Sequence, residues 1–234
     1  MHRGTLFAAV TFSFGAFAAA QAEDATFEDR VRAYILNNPE IILEALEILS
    51  EREARAQVTA RLAAFPELFT EPARLGEGVD DAPLRVVEFF DYKCAPCKAI
   101  HPDLVDFVTE HPEVRIEMRH LPILTPASER AARFALAAQM TYGDEAHRAV
   151  HDMLWETRGP LNVAGFQRIA EDLSLDFDTL VEAMDSDAVT DRITYNRDAA
   201  IALEVLGTPA FLTPDSVVYG STDIDVLSEA WLSQ

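Results

Sequence analysis

The sequence of 234 residues predicts an α/β fold that carries a helical insert and is preceded by a helical extension. Residues 84–121 have the pattern strand, helix, strand, which is typical of a βαβ unit. About 80 residues of almost wholly helical pattern follow, and two short strands and a last helix come after them. Strands therefore flank the predicted insert.

Composition and charge limit the classes of function. The chain has 40 Asp and Glu against 19 Lys and Arg, a net charge of -21, and 49% hydrophobic residues. That hydrophobic content is ample for a buried core, which excludes disorder throughout. A polyanion repels phosphate backbones and anionic lipid headgroups, and the sequence has no strong local basic patch. We therefore expect no nucleic-acid partner.

Residues 1–22 have the pattern of a secretory signal peptide. A short basic start precedes an uncharged run from Gly4 to Ala20, and an A-x-A site ends at Ala22, where we expect cleavage. The run has 17 residues, fewer than the roughly 20 of a membrane span, which argues against an uncleaved anchor. Export would place the protein in an oxidising compartment, and we expect the bacterial periplasm.

Residues 23–71 predict a helical extension. The pattern breaks at residues 37–39, and a longer helix then begins at Glu40. Its apolar residues recur at spacings of three and four, at Ile42, Leu46, Leu49, Val58, Leu62 and Phe65. The segment is too small to hold its own core, so this apolar stripe contacts either the rest of the chain or a second copy. The extension is therefore a candidate oligomerisation segment, and prolines and glycines from Pro66 to Gly78 indicate a linker.

The central elements follow from hydrophobic pattern. Residues 84–90 form a nearly continuous apolar run, which is typical of a buried strand, and Lys98 to Glu110 has helical spacing. Residues 114–121 alternate with period two, which indicates a second strand. The helical insert covers residues 126–206 and opens with Thr125 as cap and a proline in the first turn. Short strands are expected near residues 210–212 and 217–219, before a helix over 223–232.

The only two cysteines, Cys94 and Cys97, lie where the first strand gives way to a helix. A cysteine at a helix N-terminus meets unpaired backbone N–H groups and the positive end of the helix dipole, and both favour the thiolate. Cys94 is therefore the candidate nucleophile, and Cys97, one helical turn later, can resolve a mixed disulfide. Pro96 stiffens the turn between them. The predicted redox group is this disulfide, with no other cofactor.

The only two lysines, Lys93 and Lys98, flank the cysteine motif. In so acidic a chain, two ammonium groups here would stabilise a thiolate and tune its redox chemistry. The alternative is that both are solvated surface lysines, and the sequence favours neither.

A structural zinc site would need two more Cys or His ligands at suitable spacing, and His147 and His151 lie about 50 residues beyond the motif. Covalent haem attachment needs a histidine where Lys98 stands. We expect no resident metal.

Two segments resemble a known family. Residues 88–102 read EFFDYKCAPCKAIHP, and residues 207–211 read GTPAF. This pairing resembles the thioredoxin superfamily, and within it the exported DsbA-like branch, whose thioredoxin fold carries an inserted helical domain. The resemblance implies a thioredoxin-fold domain of residues 72–125 and 207–234 around the insert.

The resemblance also implies roles for individual residues. Cys94 would be the exposed attacking cysteine and Cys97 the buried resolving one. Glu88 falls where the superfamily keeps a buried acid that shuttles protons; an arginine that holds its carboxylate is the alternative. Pro209 matches the family's cis-proline, and Thr208 would offer main-chain groups to an extended substrate strand.

The sequence departs from the oxidising members of the family in two ways. They carry a histidine where this chain has Pro96, which predicts a weaker oxidant. His101, one turn after the motif, could influence either sulfur, although a packed or surface histidine is the simpler interpretation. The extension over residues 23–71 resembles that of ScsC-type periplasmic proteins and would bring several active sites together in a homo-oligomer.

The sequence therefore predicts an exported thiol-disulfide oxidoreductase or isomerase. Cysteine-containing exported proteins would be its substrates, and a membrane redox partner would recharge it. Oxidase, isomerase and reductase directions all stay open, because they share these residues. One alternative is a copper-tolerance or soft-metal-binding protein that uses the same thiols, with His101 as a further ligand. Another is a helical oligomeric adaptor whose thioredoxin fold only docks partners.

Overall fold

The computed structural model describes residues 26–70, 75–220 and 223–232. The chain divides into two compact units, one ending at Leu49 and the other beginning at Ser50. The predicted signal peptide, residues 1–22, lies outside the described residues. Within the described ranges, none of the helices combines the length and apolar character that a membrane span requires.

The described part of the first unit, residues 26–49, is helical. Helix α1 (Phe27–Asn37) begins at a capping box in which Thr26 and Asp29 satisfy each other's backbone N–H groups. Helix α2 (Glu40–Leu62) starts in this unit and ends in the next. The first unit exposes many large apolar side chains, namely Phe27, Val31, Tyr34, Leu36, Ile42, Leu43, Leu46, Ile48 and Leu49. Residues 26–49 leave this part of the predicted stripe exposed.

The last turns of α2 belong to the core of the second unit. Leu62 is buried there, and Val58 and Phe65 pack against the same cluster. A short helix, α3 (Glu67–Thr70), contributes the buried Leu68. For this half of the predicted stripe, the partner is the rest of the chain.

The second unit contains a five-stranded sheet in the order β1-β3-β2-β4-β5. The strands are β1 (Gly76–Glu77), β2 (Leu84–Phe90), β3 (Val114–His120), β4 (Ala210–Thr213) and β5 (Ser216–Tyr219). Strands β2 and β3 are parallel, as the βαβ pattern predicted, and the other neighbours are antiparallel. The linker prediction was wrong at β1, where Gly76 lies so close to Ile116 of β3 that a Cβ atom would clash with its carbonyl group. Glycine therefore permits a strand that hydrophobic pattern could not indicate.

Helices cover both faces of the sheet. Val86 and Phe90 of β2 share a cluster with residues of α4 (Ala95–Glu110) and α10 (Ile224–Leu232). The alternate residues Val87 and Phe89 pack with α3 and with the end of α9 (Asp187–Ala202). Residues of β2 therefore alternate between two buried faces, which explains its continuous apolar sequence.

The chain between β3 and β4 forms five helices: α5 (Pro126–Tyr142), α6 (Asp144–Glu156), α7 (Val163–Asp172), α8 (Phe177–Met184) and α9. Helix α5 begins as predicted, with the Thr125 side chain accepting from the backbone N–H of Ser128. Buried alanines along α5 give it a small-residue surface against its neighbours. The predicted fold class, an α/β sheet interrupted by a helical insert, is confirmed.

Candidate active site

The two cysteines form a disulfide at the start of α4. Cys94 is the N-cap of the helix, and its Cα lies 5.3 Å from that of Cys97. The backbone N–H of Cys97 donates to Cys94 Sγ over 3.0 Å. The same N–H and the helix dipole would stabilise negative charge on this sulfur once the disulfide opens. The local geometry therefore favours Cys94 as the nucleophile.

Both sulfur-bearing residues are buried in this oxidised state. Cys94 is only 2% exposed, so the expectation of an exposed Cys94 is wrong here. Its Sγ lies 3.3 Å from the carbonyl oxygen of Thr208, a residue 114 positions later in the sequence. The Thr208–Pro209 peptide bond is cis, as the resemblance implied. The site thus combines the helix start with the segment that leads into β4.

A buried carboxylate organises the loop before Cys94. Asp91 accepts backbone hydrogen bonds from Lys93 at 2.7 Å, Ile123 at 3.0 Å and Leu124 at 3.1 Å. These bonds tie the loop after β2 to the loop after β3. Sequence reasoning missed Asp91, although an acid directly after a buried strand was visible in the sequence.

Glu88 is buried in the middle of β2. It shares its face with Val86 and Phe90, whose cluster includes Cys97. Neither of its carboxyl oxygens has a hydrogen-bond partner among the described residues. Burial, with a smaller contribution from the charge of Glu77, raises the pKa of Glu88 from 4.5 to about 8. Near neutral pH the group therefore carries a proton that it can exchange.

The arginine alternative for Glu88 is wrong. Arg85 of β2 and Arg115 of β3 both bind Glu117 instead. The Arg115 Nε to Glu117 Oε1 distance is 2.9 Å. Glu117 is thus a paired carboxylate, whereas no arginine contacts the Glu88 carboxyl group in the described part of the chain.

Lys93, Pro96 and Lys98, which we expect to tune the redox chemistry of the disulfide, lie around it but differ in burial. Lys93 and Pro96 are exposed. Lys98 is partly buried, and its Nζ donates to the carbonyl oxygens of Trp155 at 2.6 Å and Thr157 at 3.4 Å. Burial, and then the charge of Lys93, lowers the pKa of Lys98. At least Lys98 is more than a solvated surface lysine.

A cleft of about 600 Å³ opens beside the disulfide, between α4 and the end of α6. We call it the basic cleft, and its lining residues are Tyr92, Lys93, Ala95, Lys98, His101, Pro102, Trp155, Glu156, Thr157, Arg158 and Leu161. The ring of His101 contacts the Trp155 ring edge-on at 5.1 Å, and burial lowers the pKa of His101. His101 is thus a packed, neutral-leaning side chain of the cleft wall.

Behind the loop lies a buried cluster that sequence reasoning missed. The Tyr92 hydroxyl lies 3.2 Å from His120 Nε2 and 3.0 Å from His151 Nδ1. The His147 ring stacks on His120, with 5.4 Å between centroids. Burial lowers the pKa of His147 to about 4 and those of the other two histidines well below 6.5. The only signal in the sequence was the one-turn spacing of His147 and His151 on a helix.

The cluster connects three parts of the chain: the loop before Cys94, the end of β3 and helix α6. Neutral His120 and His151 suit it, because the ring nitrogen of one can accept from the Tyr92 hydroxyl while that of the other donates to it. Both ring nitrogens of His147 lack a hydrogen-bond partner among the described residues, so His147 contributes by stacking. In the described ranges, no group of three or more His, Cys, Asp and Glu side chains is arranged to hold a metal ion.

Comparison with known proteins identifies both parts of the chain. Residues 85–231, more than half of it, match the model of the DSBA-like thioredoxin domain. Residues 23–56 match the model of the copper resistance protein ScsC N-terminal domain. The Na(+)/H(+) antiporter NhaA 3 of Salinispora tropica is 33% identical over 156 residues, 67% of this chain and 24% of the antiporter. The chain thus spans about a quarter of that relative's length.

Solved structures show the same fold. A thioredoxin-like oxidoreductase from Silicibacter pomeroyi is 35% identical and superposes with a TM-score of 0.61, covering 70% of this chain and 93% of that one. A linker-deletion mutant of Proteus mirabilis ScsC is 26% identical, with a TM-score of 0.63 over 94% of this chain and 99% of that one. The chain therefore belongs to the DsbA-like thioredoxin domain family of thiol-disulfide oxidoreductases.

Proposed function

We propose that this protein exchanges disulfides with cysteines of exported client proteins through a mixed disulfide at Cys94, which Cys97 resolves. The observation that carries the proposal is the Cys94–Cys97 disulfide at the start of α4, with the Thr208 carbonyl against Cys94 Sγ. The membership of residues 85–231 in the DsbA-like family supports it. No cofactor beyond the disulfide is needed.

In the oxidising direction, a client thiolate attacks Cys94 Sγ. The S–S bond to Cys97 breaks, its electron pair stays on Cys97, and a mixed disulfide forms at Cys94. A second client thiolate then attacks the client sulfur, which releases Cys94 as a thiolate and the client as a disulfide. In the reducing direction, Cys94 attacks a client disulfide, and Cys97 attacks Cys94 to release the client thiol.

Glu88 is the proposed proton carrier for Cys97. A group whose pKa lies near 8 is protonated before the disulfide opens and can give that proton to the leaving thiolate. Its position on the sheet face covered by α4 puts it in the same core as Cys97. In the reverse direction the carboxylate takes the proton from Cys97 and makes it a nucleophile.

Thr208 and Pro209 are the proposed client platform. The Thr208 carbonyl oxygen, 3.3 Å from Cys94 Sγ, is positioned to accept a backbone N–H from an extended client segment whose cysteine bonds to Cys94. Leu206, which is 92% exposed two residues earlier, offers an apolar contact on the same side.

Two serine variants of the mature chain test the proposal, because it predicts a different result for each. Cys94→Ser should lose both turnover and client adducts in an assay of a model disulfide protein. Cys97→Ser should lose turnover but accumulate mixed disulfides that a reductant cleaves, because nothing resolves the Cys94 adduct. Full exchange activity of Cys94→Ser would refute the mechanism.

The protein is proposed to act in the periplasm, after cleavage behind Ala22, with a membrane redox partner that recharges the disulfide. We propose that the first unit joins copies of the chain into a homo-oligomer. Apolar side chains such as Leu43 and Leu46, 70% and 57% exposed, would then be covered by the same residues of another copy. The match of residues 23–56 to the ScsC N-terminal domain supports a shared role of this segment.

The oligomer is tested by light scattering of the mature protein. Leu43→Glu and Leu46→Glu should give monomers at concentrations where the parent chain is larger, whereas Glu44→Gln, a control on the same helix, should not. A monomeric parent chain would contradict the assembly without affecting the exchange chemistry.

The same match favours a second candidate function, binding of a soft metal ion such as Cu(I) by the reduced cysteines. Glu88→Gln separates the two functions. It should slow disulfide exchange because it removes the proton carrier, whereas metal affinity of the two thiolates should stay the same.

A further inference from the structure

The basic cleft concentrates positive charge in an otherwise acidic protein. It contains the cations Lys93, Lys98 and Arg158 beside the neutral-leaning His101, and the one acid among its described lining residues is Glu156. The chain has 40 Asp and Glu, and its only two lysines are both here. Such a cluster creates a local field opposite in sign to that of the whole molecule.

These three cations have no carboxylate partner in the described part of the chain. Other arginines of the insert do have one: Arg133 and Arg197 bind Glu129, and Arg148 binds Glu77. In a chain with so many acids, cations that stay unpaired within one cleft are available to an external anion.

Lys98 is held ready for a ligand. Two of its three N–H donors go to the carbonyl oxygens of Trp155 and Thr157, which fixes the ammonium group in the cleft wall. One donor remains. Burial, and then the charge of Lys93, lowers the pKa of Lys98, and a bound anion would offset the repulsion between the two ammonium groups. The exposed guanidinium of Arg158 can add a bidentate pair of hydrogen bonds to a carboxylate.

The cleft also lies close enough to Cys94 to contact residues next to a client cysteine. Its lining residues Tyr92, Lys93 and Ala95 lie on both sides of Cys94 in the sequence. A client cysteine bonded to Cys94 would therefore bring its neighbouring residues to the cleft mouth.

We propose that the basic cleft binds the carboxylate of an Asp or Glu side chain next to the reacting cysteine of a client, and so selects acidic client segments. The proposal rests on the proposed exchange function and adds a substrate preference to it. Lys93, Lys98 and Arg158 are its specificity-determining residues, and their contacts with the client are formed as the mixed disulfide forms.

The test compares two ten-residue peptides, each with a single cysteine flanked by Glu in one and by Gln in the other. The rate of reduction of the Cys94–Cys97 disulfide in the mature protein is followed by tryptophan fluorescence, since Trp155 lines the cleft. Each rate is divided by the rate of the same peptide with dithiodipyridine, a neutral disulfide, because a flanking Glu changes the reactivity of the peptide thiol itself.

With direct contacts to the partly buried Lys98 and the exposed Arg158, the corrected rate of the Glu peptide should exceed that of the Gln peptide about fivefold at low salt. The preference should shrink as salt increases. Arg158→Gln should reduce it and Arg158→Glu should abolish or reverse it. Arg130→Gln, an exposed arginine outside the cleft, should keep it.

Equal corrected rates in the parent protein would overturn the cleft proposal and leave the exchange function standing. A preference that Arg158→Glu leaves unchanged would also overturn it. If neither peptide opens the disulfide, the exchange function itself fails.

Discussion

Replacing Glu88 by glutamine should change how the stability of the oxidised protein depends on pH. The carboxyl group has a pKa of about 8 in the folded chain, against 4.5 for an exposed glutamate. Between these values the unfolded chain has lost the proton that the folded chain keeps. The free energy of unfolding therefore falls as pH rises through this window, by about 1.4 kcal/mol per pH unit.

Over the whole window the loss is about 5 kcal/mol, and above pH 8 it stops growing. Glu88→Gln removes this contribution. The buried amide also changes the free energy of unfolding by an amount that does not depend on pH. We therefore compare how the difference in free energy of unfolding between variant and parent changes with pH. From pH 5 to pH 8 the variant should gain about 4 kcal/mol relative to the parent chain.

The assay is urea unfolding at pH 5, 6, 7 and 8 with the disulfide intact, followed by tryptophan fluorescence. The histidine contributions cancel, because both proteins contain the same buried histidines. Glu110→Gln, an exposed position on α4, is the matched control and should differ from the parent by less than about 0.5 kcal/mol at every pH. Parallel stability curves for Glu88→Gln and the parent would refute a buried, protonated Glu88.

Three further predictions concern the framework around the disulfide. Because the pKa of His147 is lowered to about 4, the free energy of unfolding should fall as pH drops from 6.5 to 4. His147→Leu should remove about 3 kcal/mol of that fall, measured by urea unfolding at both pH values. An equal fall in the variant and the parent protein would contradict this. Tyr92→Phe leaves two buried histidine nitrogens without their partner and should cost about 1–3 kcal/mol, whereas Tyr34→Phe, on an exposed side chain, should cost almost nothing in the same assay. Asp91→Asn weakens three backbone hydrogen bonds and should lower the free energy of unfolding by about 2 kcal/mol. It should also speed amide hydrogen exchange at Ile123. Unchanged exchange at Ile123 would show that other contacts hold the two loops together.

Hydrophobic pattern predicted the central elements because their burial is regular. Strand β2 is buried on both faces and has the bounds read from its apolar run, 84–90. Strand β1 was missed, because two residues are too few to show a period. Helix α3 falls within the predicted helical extension, but its separation from α2 was not predicted. Helix α4 begins at Ala95, three residues before the predicted Lys98, since the cysteine that caps it carries no cap signature.

The site was predictable where one short motif holds it and not where distant segments meet. Cys94 and Cys97 are three positions apart, so their spacing alone placed them together. The cluster of Tyr92, His120 and His151 joins residues 28 and 59 positions apart, and no local pattern connects them. Burial of Cys94 depends in the same way on Thr208, whose approach results from the pairing of β4 with β2.

The distance along the chain between Cys94 and Thr208 has a consequence for maturation. The disulfide motif occupies the first half of the sequence, whereas the carbonyl group beside it arrives only with the segment before β4. Between them lies the whole insert, which must be synthesised before β4 can take its place next to β2. A chain interrupted anywhere in the insert therefore carries reactive sulfurs without the surface that would receive a client. The proposed exchange site is therefore complete only once the segment before β4 has been synthesised and has paired with β2.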